Sequence, residues 1–200
     1  MATKVLVKEC QYAEFKQSWQ DEYLKWICAF ANTEGGSLFV GVDDKGYVCG
    51  VKNAHKLSED IPNKIRNTMG VICEMRLLNA GGLDYFEIKV DKYPVPISYR
   101  GRYYKRSGST VQELSGVEIN RLTLFMQGRT WDSVPVLGIS TKELDHGALK
   151  LFREKAVESQ RLDKKAAGVS VQNLLQNLRC TEGSHLTRAA MMCFHPDPES

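Results

Sequence analysis

Residues 26–46 constrain the fold more than any other part of the chain. Up to Ala31 the apolar residues recur at helical spacing, which places one helix face toward a core: Tyr23, Ile27, Phe30 and Ala31. Gly35 or Gly36 can adopt the left-handed conformation that closes a helix. Residues 37–42 are apolar and partly β-branched, which predicts a buried strand packed against that helix.

The next residues continue this local pattern. Asp43-Asp44-Lys45-Gly46 is typical of a tight turn, and residues 47–51 are predicted to return as the partner strand of a hairpin. Further strands are predicted at residues 4–8, 12–16, 72–78, 83–90 and within 97–106. Helices are predicted from a Ser18 cap, from Ser58 to about Met69, and from Ser115 to about Met126.

These elements predict an α+β fold with a mixed or largely antiparallel sheet and two or three packed helices. The pattern changes near residue 130, so we expect a first domain at residues 1–130. Residues 131–200 are expected to form a linker and a mainly helical segment, with helices near 142–161 and 170–178. We expect that segment to begin a further domain that continues past Ser200.

Composition excludes several classes of protein. No window reaches the run of about eighteen apolar residues that a membrane span needs, and the N-terminus lacks the apolar segment of a signal peptide, so a cytoplasmic location without membrane contact is expected. Six scattered cysteines without a CxxC pair favour reduced thiols over a zinc site. Trp19, Trp26 and Trp131 are predicted to pack in the core or at its boundary.

Charge is distributed unevenly along the chain. Residues 1–130 hold 18 Lys and Arg against 15 Asp and Glu, whereas residues 131–200 hold 9 against 9. The excess behind the net charge of +3 therefore lies in the first part of the chain. This distribution predicts a local basic face on an otherwise balanced protein.

The segment Ile97–Arg106 is the clearest candidate for that face. It carries four cations, three tyrosines and no acid, and it is predicted to turn near Arg100-Gly101. Cations can neutralise phosphates, and tyrosine rings can stack on unpaired bases. We expect nucleic-acid contacts from Lys16, Tyr99, Arg100, Arg102, Tyr103, Lys105 and Arg106. Two alternatives remain open: a basic edge strand that resists aggregation, and a Lys16 that only neutralises Glu14.

Three segments carry a resemblance to a known family. Glu-Cys-Gln-Tyr-Ala-Glu-Phe-Lys at residues 9–16 is followed by Ala-Phe-Ala-Asn-Thr-Glu-Gly-Gly at 29–36 and Val-Gly-Val-Asp-Asp at 40–44. In this order they resemble the Schlafen AlbA_2 family, from about Lys8 to the helix after Leu114. The resemblance implies a DNA- or RNA-binding domain, as found in bacterial transcriptional regulators, ATPase- or helicase-related proteins and animal Schlafens.

An enzymatic alternative rests on three carboxylates. Glu9 and Glu14 lie five residues apart, and Asp44 is predicted at the tip of a hairpin, so the three could converge on one sheet edge. Such a cluster would hold Mg²⁺ or Mn²⁺ as a cofactor for phosphodiester cleavage. The resemblance implies the same triad, since these positions match the acidic site of ribonucleolytic Schlafens. Adjacent Asp43 could replace Asp44, and all of these acids could instead be structural.

A third interpretation is a module for protein interaction or assembly, for example through a homodimer. It would predict a stable oligomer and no salt-sensitive binding of nucleic acid. The residues themselves do not distinguish DNA from RNA.

Overall fold

The structure is a computed structural model that describes residues 3–198. It contains two compact units, and the boundary between them lies between Gln127 and Gly128. The chain contains helices as well as strands that pair into sheets, which confirms the predicted α+β class. In the described residues no helix has the length and apolar character required to cross a membrane.

The first unit is built on two sheets. Strands β1 (Ala13–Lys16), β2 (Gly36–Val40), β3 (Glu74–Ala80) and β4 (Leu83–Val90) form a sheet of order β1-β2-β4-β3, in which only β1 and β2 are parallel. A second, antiparallel sheet has the order β5-β6-β7 and contains β5 (Ser98–Tyr99), β6 (Arg102–Ser107) and β7 (Thr110–Glu113). The helices are α1 (Leu24–Ala31), α2 (Ala54–Met69) and α3 (Gly116–Met126).

The last five residues of helix α1 are buried on all sides, although the sequence predicts only one apolar face; Lys25 and Trp26 in its first turn are half-buried. Residues 27–31 have no exposed surface, because β2 and β4 cover one side of the helix and β5, β6 and β7 cover another. The segment Ile-Cys-Ala-Phe-Ala has no polar position for solvent, as expected of a helix that is apolar all round. Leu38, Val40 and Phe86 pack against it from the four-stranded sheet.

The end of α1 is set by two glycines. Gly35 has φ 79° and donates its N–H to the carbonyl of Phe30 at 3.0 Å, which confirms the predicted left-handed stop. At Gly36, a Cβ would lie 2.4 Å from the Phe30 ring. Only glycine therefore lets the chain enter β2 while α1 lies against the sheet.

The opposite face of the four-stranded sheet has its own small core. Ala13 and Phe15 of β1 pack there with Phe39 and with Val42 and Val48 of the following turn. Since side chains alternate along a strand, Glu14 and Lys16 point to the α1 side of the sheet. Strand β1 thus separates an apolar face from the face that carries its charges.

Several local predictions are wrong. Residues 47–51 form no strand ladder, because the turn is closed only by the single bridge Val42–Val48 while β4 occupies the edge of β2. Residues 4–8 contribute one bridge, from Lys4 to Tyr47. Ser18 does not cap a helix; a 3₁₀ turn at Asp21–Tyr23 leads into α1 instead.

Helix α2 also begins earlier than predicted. It starts at Ala54, after Asn53 in the left-handed conformation at φ 58°, so Pro62 lies inside the helix. The acidic residues and proline at 58–62 resemble a helix start, and Pro62 removes one backbone donor from the helix interior. Ile61 and Ile65 are fully buried and hold this helix against the core. The start of α3 agrees with its prediction, since Ser115 and Glu118 form a capping box.

The second unit is smaller and contains helices and a short sheet. Its helices are α4 (His146–Glu158), α5 (Lys164–Ala167), α6 (Val171–Asn177) and α7 (Arg188–Phe194). Strands β8 (Pro135–Val136), β9 (Thr181–Glu182) and β10 (His185–Thr187) form an antiparallel sheet of order β8-β10-β9. Leu174, Leu175 and Leu186 are central to its core. The strands add to the mainly helical segment expected from the sequence.

Candidate nucleic-acid interface

The basic hairpin β5–β6 is held on α1 by one buried amide. Asn32 follows α1, and its Nδ2 donates to the carbonyls of Ile97 (2.7 Å) and Tyr104 (2.9 Å). Its Oδ1 accepts the N–H of Ile97 at 2.7 Å. Thr33 adds a fourth bond, since its hydroxyl oxygen accepts the N–H of Arg106 at 2.9 Å. The two residues that directly follow α1 therefore position the hairpin.

The far end of the hairpin is anchored by Arg106. This side chain has no exposed surface, and its Nη1 lies 3.0 Å from Glu14 Oε2. The two atoms are misaligned for a hydrogen bond, so their contact is electrostatic. Nη2 and Nε donate instead to the carbonyls of Cys10 (2.9 Å) and Gln11 (3.4 Å). Arg106 therefore links β6 to the residues before β1 and to β1 itself.

Two residues expected to contact nucleic acid are therefore structural. The Arg106 guanidinium is fully engaged by Glu14 and two backbone carbonyls, and it lies 5.1 Å from the centre of the Phe30 ring. Tyr99 is buried in the main core, and its hydroxyl donates to the backbone carbonyl of Asp21 at 3.3 Å. The expectation of direct contact from these two side chains is corrected, because neither presents its polar atoms to solvent.

The remaining cations of the hairpin do not share one face. Strand β6 alternates, so Arg102 lies on the side that packs on α1, and Tyr103 and Lys105 lie on the other side. Arg102 is exposed but pairs with Glu113 at 3.1 Å. Lys105 is half-buried and forms no ion pair within residues 3–198. The segment Ile97–Arg106 therefore does not form one continuous basic surface, because successive side chains of β6 lie on opposite sides of the strand.

Arg100 is a further exposed cation of the hairpin. It occupies the β5–β6 turn with φ 52°, next to Gly101 with φ 75°, and both angles are typical of a type I′ hairpin turn. Its guanidinium lies 5.2 Å from the centre of the Tyr99 ring. Arg100 is exposed and has no ion pair with any described carboxylate.

A cluster of rings and cations lies beside β1, where the sequence predicts a tryptophan in the core or at its boundary and a nucleic-acid contact from Lys16. Lys16 Nζ is 4.6 Å from the centre of the Trp26 ring and 5.5 Å from that of Tyr23. Lys25 Nζ is also 4.6 Å from Trp26. The two rings meet edge to face at 5.4 Å, and both are half-buried. One feature of the sequence could have indicated this cluster: a lysine, Lys25, directly precedes Trp26 in the chain.

Asp21 joins this cluster to the hairpin turn. Its carboxylate accepts hydrogen bonds from Lys64 Nζ (2.7 Å) and Trp19 Nε1 (3.0 Å). The hydrogen bond from Lys64 holds the pKa of Asp21 below its usual value, and the charge of Arg100 contributes in the same direction. We call the side chains of Lys16, Tyr23, Lys25, Trp26 and Arg100 the ring-and-cation surface.

Two of the three carboxylates of the enzymatic alternative are engaged by separate parts of the fold, and the third is exposed. Glu14 is buried, and its Oε1 accepts from Lys16 at 2.6 Å while its Oε2 faces Arg106. Glu9 Oε1 accepts the N–H of Phe15 at 2.9 Å. Asp43 accepts the N–H groups of Lys45 and Tyr47, whereas Asp44 is exposed.

These residues do not fit a Mg²⁺ or Mn²⁺ site as they stand. Across residues 3–198 no group of three or more His, Cys, Asp and Glu side chains is arranged to hold a metal ion. A cation at Glu14 would have to compete with Arg106 and Lys16 for both carboxylate oxygens. The expected convergence of Glu9, Glu14 and Asp44 is therefore not found, and we derive no reaction step from it.

Comparison with protein families identifies the first unit. The model of the family "Schlafen, AlbA_2" matches residues 9–115, which is more than half of the 200 residues. The match includes α1, both sheets, the Asn32 bridge and the Glu14–Arg106 pair. The chain belongs to the Schlafen AlbA_2 family, and the resemblance found in its sequence is confirmed.

Two solved structures are similar to this chain. The DIP2311 protein from Corynebacterium diphtheriae is 18% identical with a TM-score of 0.51, over 92% of this chain and 35% of that chain. At this identity the likeness concerns the fold alone, and this chain spans about a third of that protein. The N-terminal domain of a RecG-related protein from Nitrosomonas europaea is 27% identical with a TM-score of 0.40, over 55% of this chain and 86% of that domain.

Proposed function

We propose that this chain binds nucleic acid, DNA or RNA, through the ring-and-cation surface. The supporting observation is that cations lie against the rings of Tyr23 and Trp26 while Arg100 is exposed and unpaired among the described residues. Cations that meet phosphates and rings that meet bases are the two elements of single-strand binding sites. Membership of the AlbA_2 family supports a nucleic-acid-related function.

The other hairpin cations extend this proposal at its margins. Arg102 pairs with Glu113 at an exposed site, where solvent screening leaves an ion pair weak, so a phosphate can replace the carboxylate. Lys105 and Tyr103 lie on the other side of β6, so they would contact a bound nucleic-acid strand only if that strand passed around the hairpin. We further propose that the chain acts in the cytoplasm as the binding module of a bacterial transcriptional regulator or of an ATPase- or helicase-related protein.

The test is a fluorescence anisotropy titration over a range of salt concentrations. Affinity should fall steeply with salt, because bound phosphates release counterions. Arg100→Asn should weaken binding and reduce the slope of log K against log salt by about 0.7–0.9, the contribution of one phosphate contact. Asparagine tolerates the left-handed conformation of this position, so the turn should survive.

Arg179→Asn is the matched control. Arg179 is also exposed, also left-handed at φ 56° and also without an ion pair among the described residues, but it lies in the second unit. Its variant should bind as the wild type does. Equal losses in both variants would remove the assignment to this surface. A wild type without salt-sensitive binding, together with a stable homodimer by light scattering, would favour an assembly module instead.

A further inference from the structure

A cleft of about 600 Å³ lies in the first unit beside the Trp19 ring. Its walls come from the residues after β1 and from the loop that leads into α2: Gln17, Ser18, Trp19, Cys49, Gly50, Val51, Lys52 and Leu57. This volume lies within the range of about 300–1,000 Å³ that small-molecule sites occupy. It exceeds what a single ordered water requires.

The Trp19 ring is held in place at one wall of the cleft. Its Nε1 donates to Asp21 Oδ1 at 3.0 Å, and the ring meets Tyr23 edge to face at 6.4 Å. The ring is half-buried, so its orientation is set by these contacts before any ligand arrives. A preoriented indole offers a flat surface for a stacking partner at little cost in conformational entropy.

The polar side chains of the cleft have unused bonding capacity. Within residues 3–198, the side chains of Gln17, Ser18 and Lys52 form neither hydrogen bonds nor ion pairs. No Asp or Glu is among the lining residues, and Lys52 is their only cation. The cleft thus combines a ring face, an amide, a hydroxyl and an uncompensated positive charge.

We propose that this cleft holds one unpaired nucleotide of a bound strand, with its base on Trp19 and its phosphate near Lys52. The amide of Gln17 and the hydroxyl of Ser18 would bond the edge of the base. A base that remains paired in a duplex cannot present its face to an indole, so the ligand is a single-stranded segment. This inference rests on the proposed function and makes it more specific.

The first test compares a single-stranded oligonucleotide of about 12 nucleotides with the blunt duplex of the same sequence. The wild type should bind the single strand more tightly. Trp19→Ala should weaken single-strand binding about 5- to 150-fold, the range found for loss of one stacking ring. Lys52→Ala should lower the salt slope for the single strand by about 0.7. Both variants should bind the duplex as the wild type does.

Lys56→Ala is the matched control for Lys52→Ala, because Lys56 is exposed on α2 but does not line the cleft. Lys52 is also exposed, so Lys52→Ala should fold normally. It therefore still tests the inference if Trp19→Ala does not fold. A salt slope for the single strand that is unchanged in Lys52→Ala, or an unchanged single-strand affinity in a folded Trp19→Ala, overturns the inference and leaves the proposed function intact. Absence of binding to either probe in the wild type overturns both.

Cys49 provides an independent measurement of occupancy. The residue is exposed and lines the cleft, and partial desolvation of its sulfur raises the pKa of the thiol, so alkylation is best followed at mildly alkaline pH. The single strand should slow alkylation of Cys49 severalfold by excluding the reagent, whereas Cys193 in the second unit should react at an unchanged rate. Equal protection of both thiols, or none at Cys49, contradicts the inference.

Discussion

The two ends of the β5–β6 hairpin carry the same kind of side chain in opposite environments. Arg106 at one end is fully buried, faces Glu14 and bonds two backbone carbonyls. Arg100 at the other end occupies an exposed turn and has no carboxylate partner within residues 3–198. The difference teaches that a count of cations along a strand does not measure a binding surface. Strand alternation and distance from α1 decide which arginine holds the fold and which stays exposed at the turn.

The largest expected effect is at the anchored end. Arg106→Met leaves the buried Glu14 carboxylate without its arginine, and breaking a buried pair on one side costs about 3–5 kcal/mol. Lys16 still contacts Glu14, so we expect the lower part of that range. Urea unfolding monitored by circular dichroism measures the change. The double variant Glu14→Leu, Arg106→Met removes both charges and should recover most of the loss; a double variant as unstable as the single one would contradict an electrostatic anchor.

The next largest effect concerns the attachment of the hairpin to α1. Asn32→Leu is close in size but removes three hydrogen bonds to Ile97 and Tyr104, although the Ile97 carbonyl retains the thiol of Cys28 at 3.2 Å. Unsatisfied buried groups cost about 1–3 kcal/mol each, and some will rebond, so we expect a loss of about 2–4 kcal/mol in the free energy of unfolding. Amide hydrogen exchange should show faster exchange in β5 and β6. Unchanged exchange there would show that the two sheets hold the hairpin without Asn32.

A smaller effect is expected at Asp21, near the exposed hairpin turn, as a dependence of the free energy of unfolding on pH. The pKa of Asp21 is lowered from 3.8 in the folded protein, chiefly by the hydrogen bond from Lys64. Because the pKa of Asp21 is lower in the folded protein than in the unfolded chain, the ionised carboxylate stabilises the fold at any pH above its unfolded pKa. This stability is lost as the pH falls through the folded pKa. Asp21→Asn should therefore cost less than about 1 kcal/mol near pH 7, since the pair is exposed. The difference from wild type should shrink below about pH 4, and a difference that grows in acid would reverse the assigned sign.

The smallest expected effect is at Arg102. Its pair with Glu113 is exposed on both sides, so Arg102→Ala should leave the free energy of unfolding nearly unchanged. Thermal unfolding of Arg102→Ala beside Arg106→Met makes the comparison within one strand. Similar losses in the two variants would erase the distinction between the two ends of the hairpin.

Much of the fold could be predicted from local sequence because its signals are local. The β3–β4 hairpin follows from two apolar strands around Asn-Ala-Gly-Gly, and α3 follows from its Ser115 and Glu118 capping box. The pairing of β2 with β1 and β4, and not with residues 47–51, depends on strands that are distant in sequence. Local turn chemistry could not reveal that competition.

The candidate interface was harder to predict for the same reason. The burial of Arg106 requires Glu14, which is 92 residues away, and the role of Asn32 requires a hairpin that begins 65 residues later. From the sequence alone, Trp19 and Trp26 are compatible with packing in the core. Only the folded chain places Lys16 and Lys25 against Trp26.

The burial of α1 between two sheets has a consequence for any shortened form of this protein. A fragment that stops before β5 would expose the side of α1 that now faces β5, β6 and β7, including part of the uninterrupted apolar segment from Ile27 to Ala31. Such a fragment should self-associate, so the smallest soluble version has to retain residues up to the end of β7. The hairpin that carries Arg100 is thus as indispensable to the integrity of the unit as the strands at its centre.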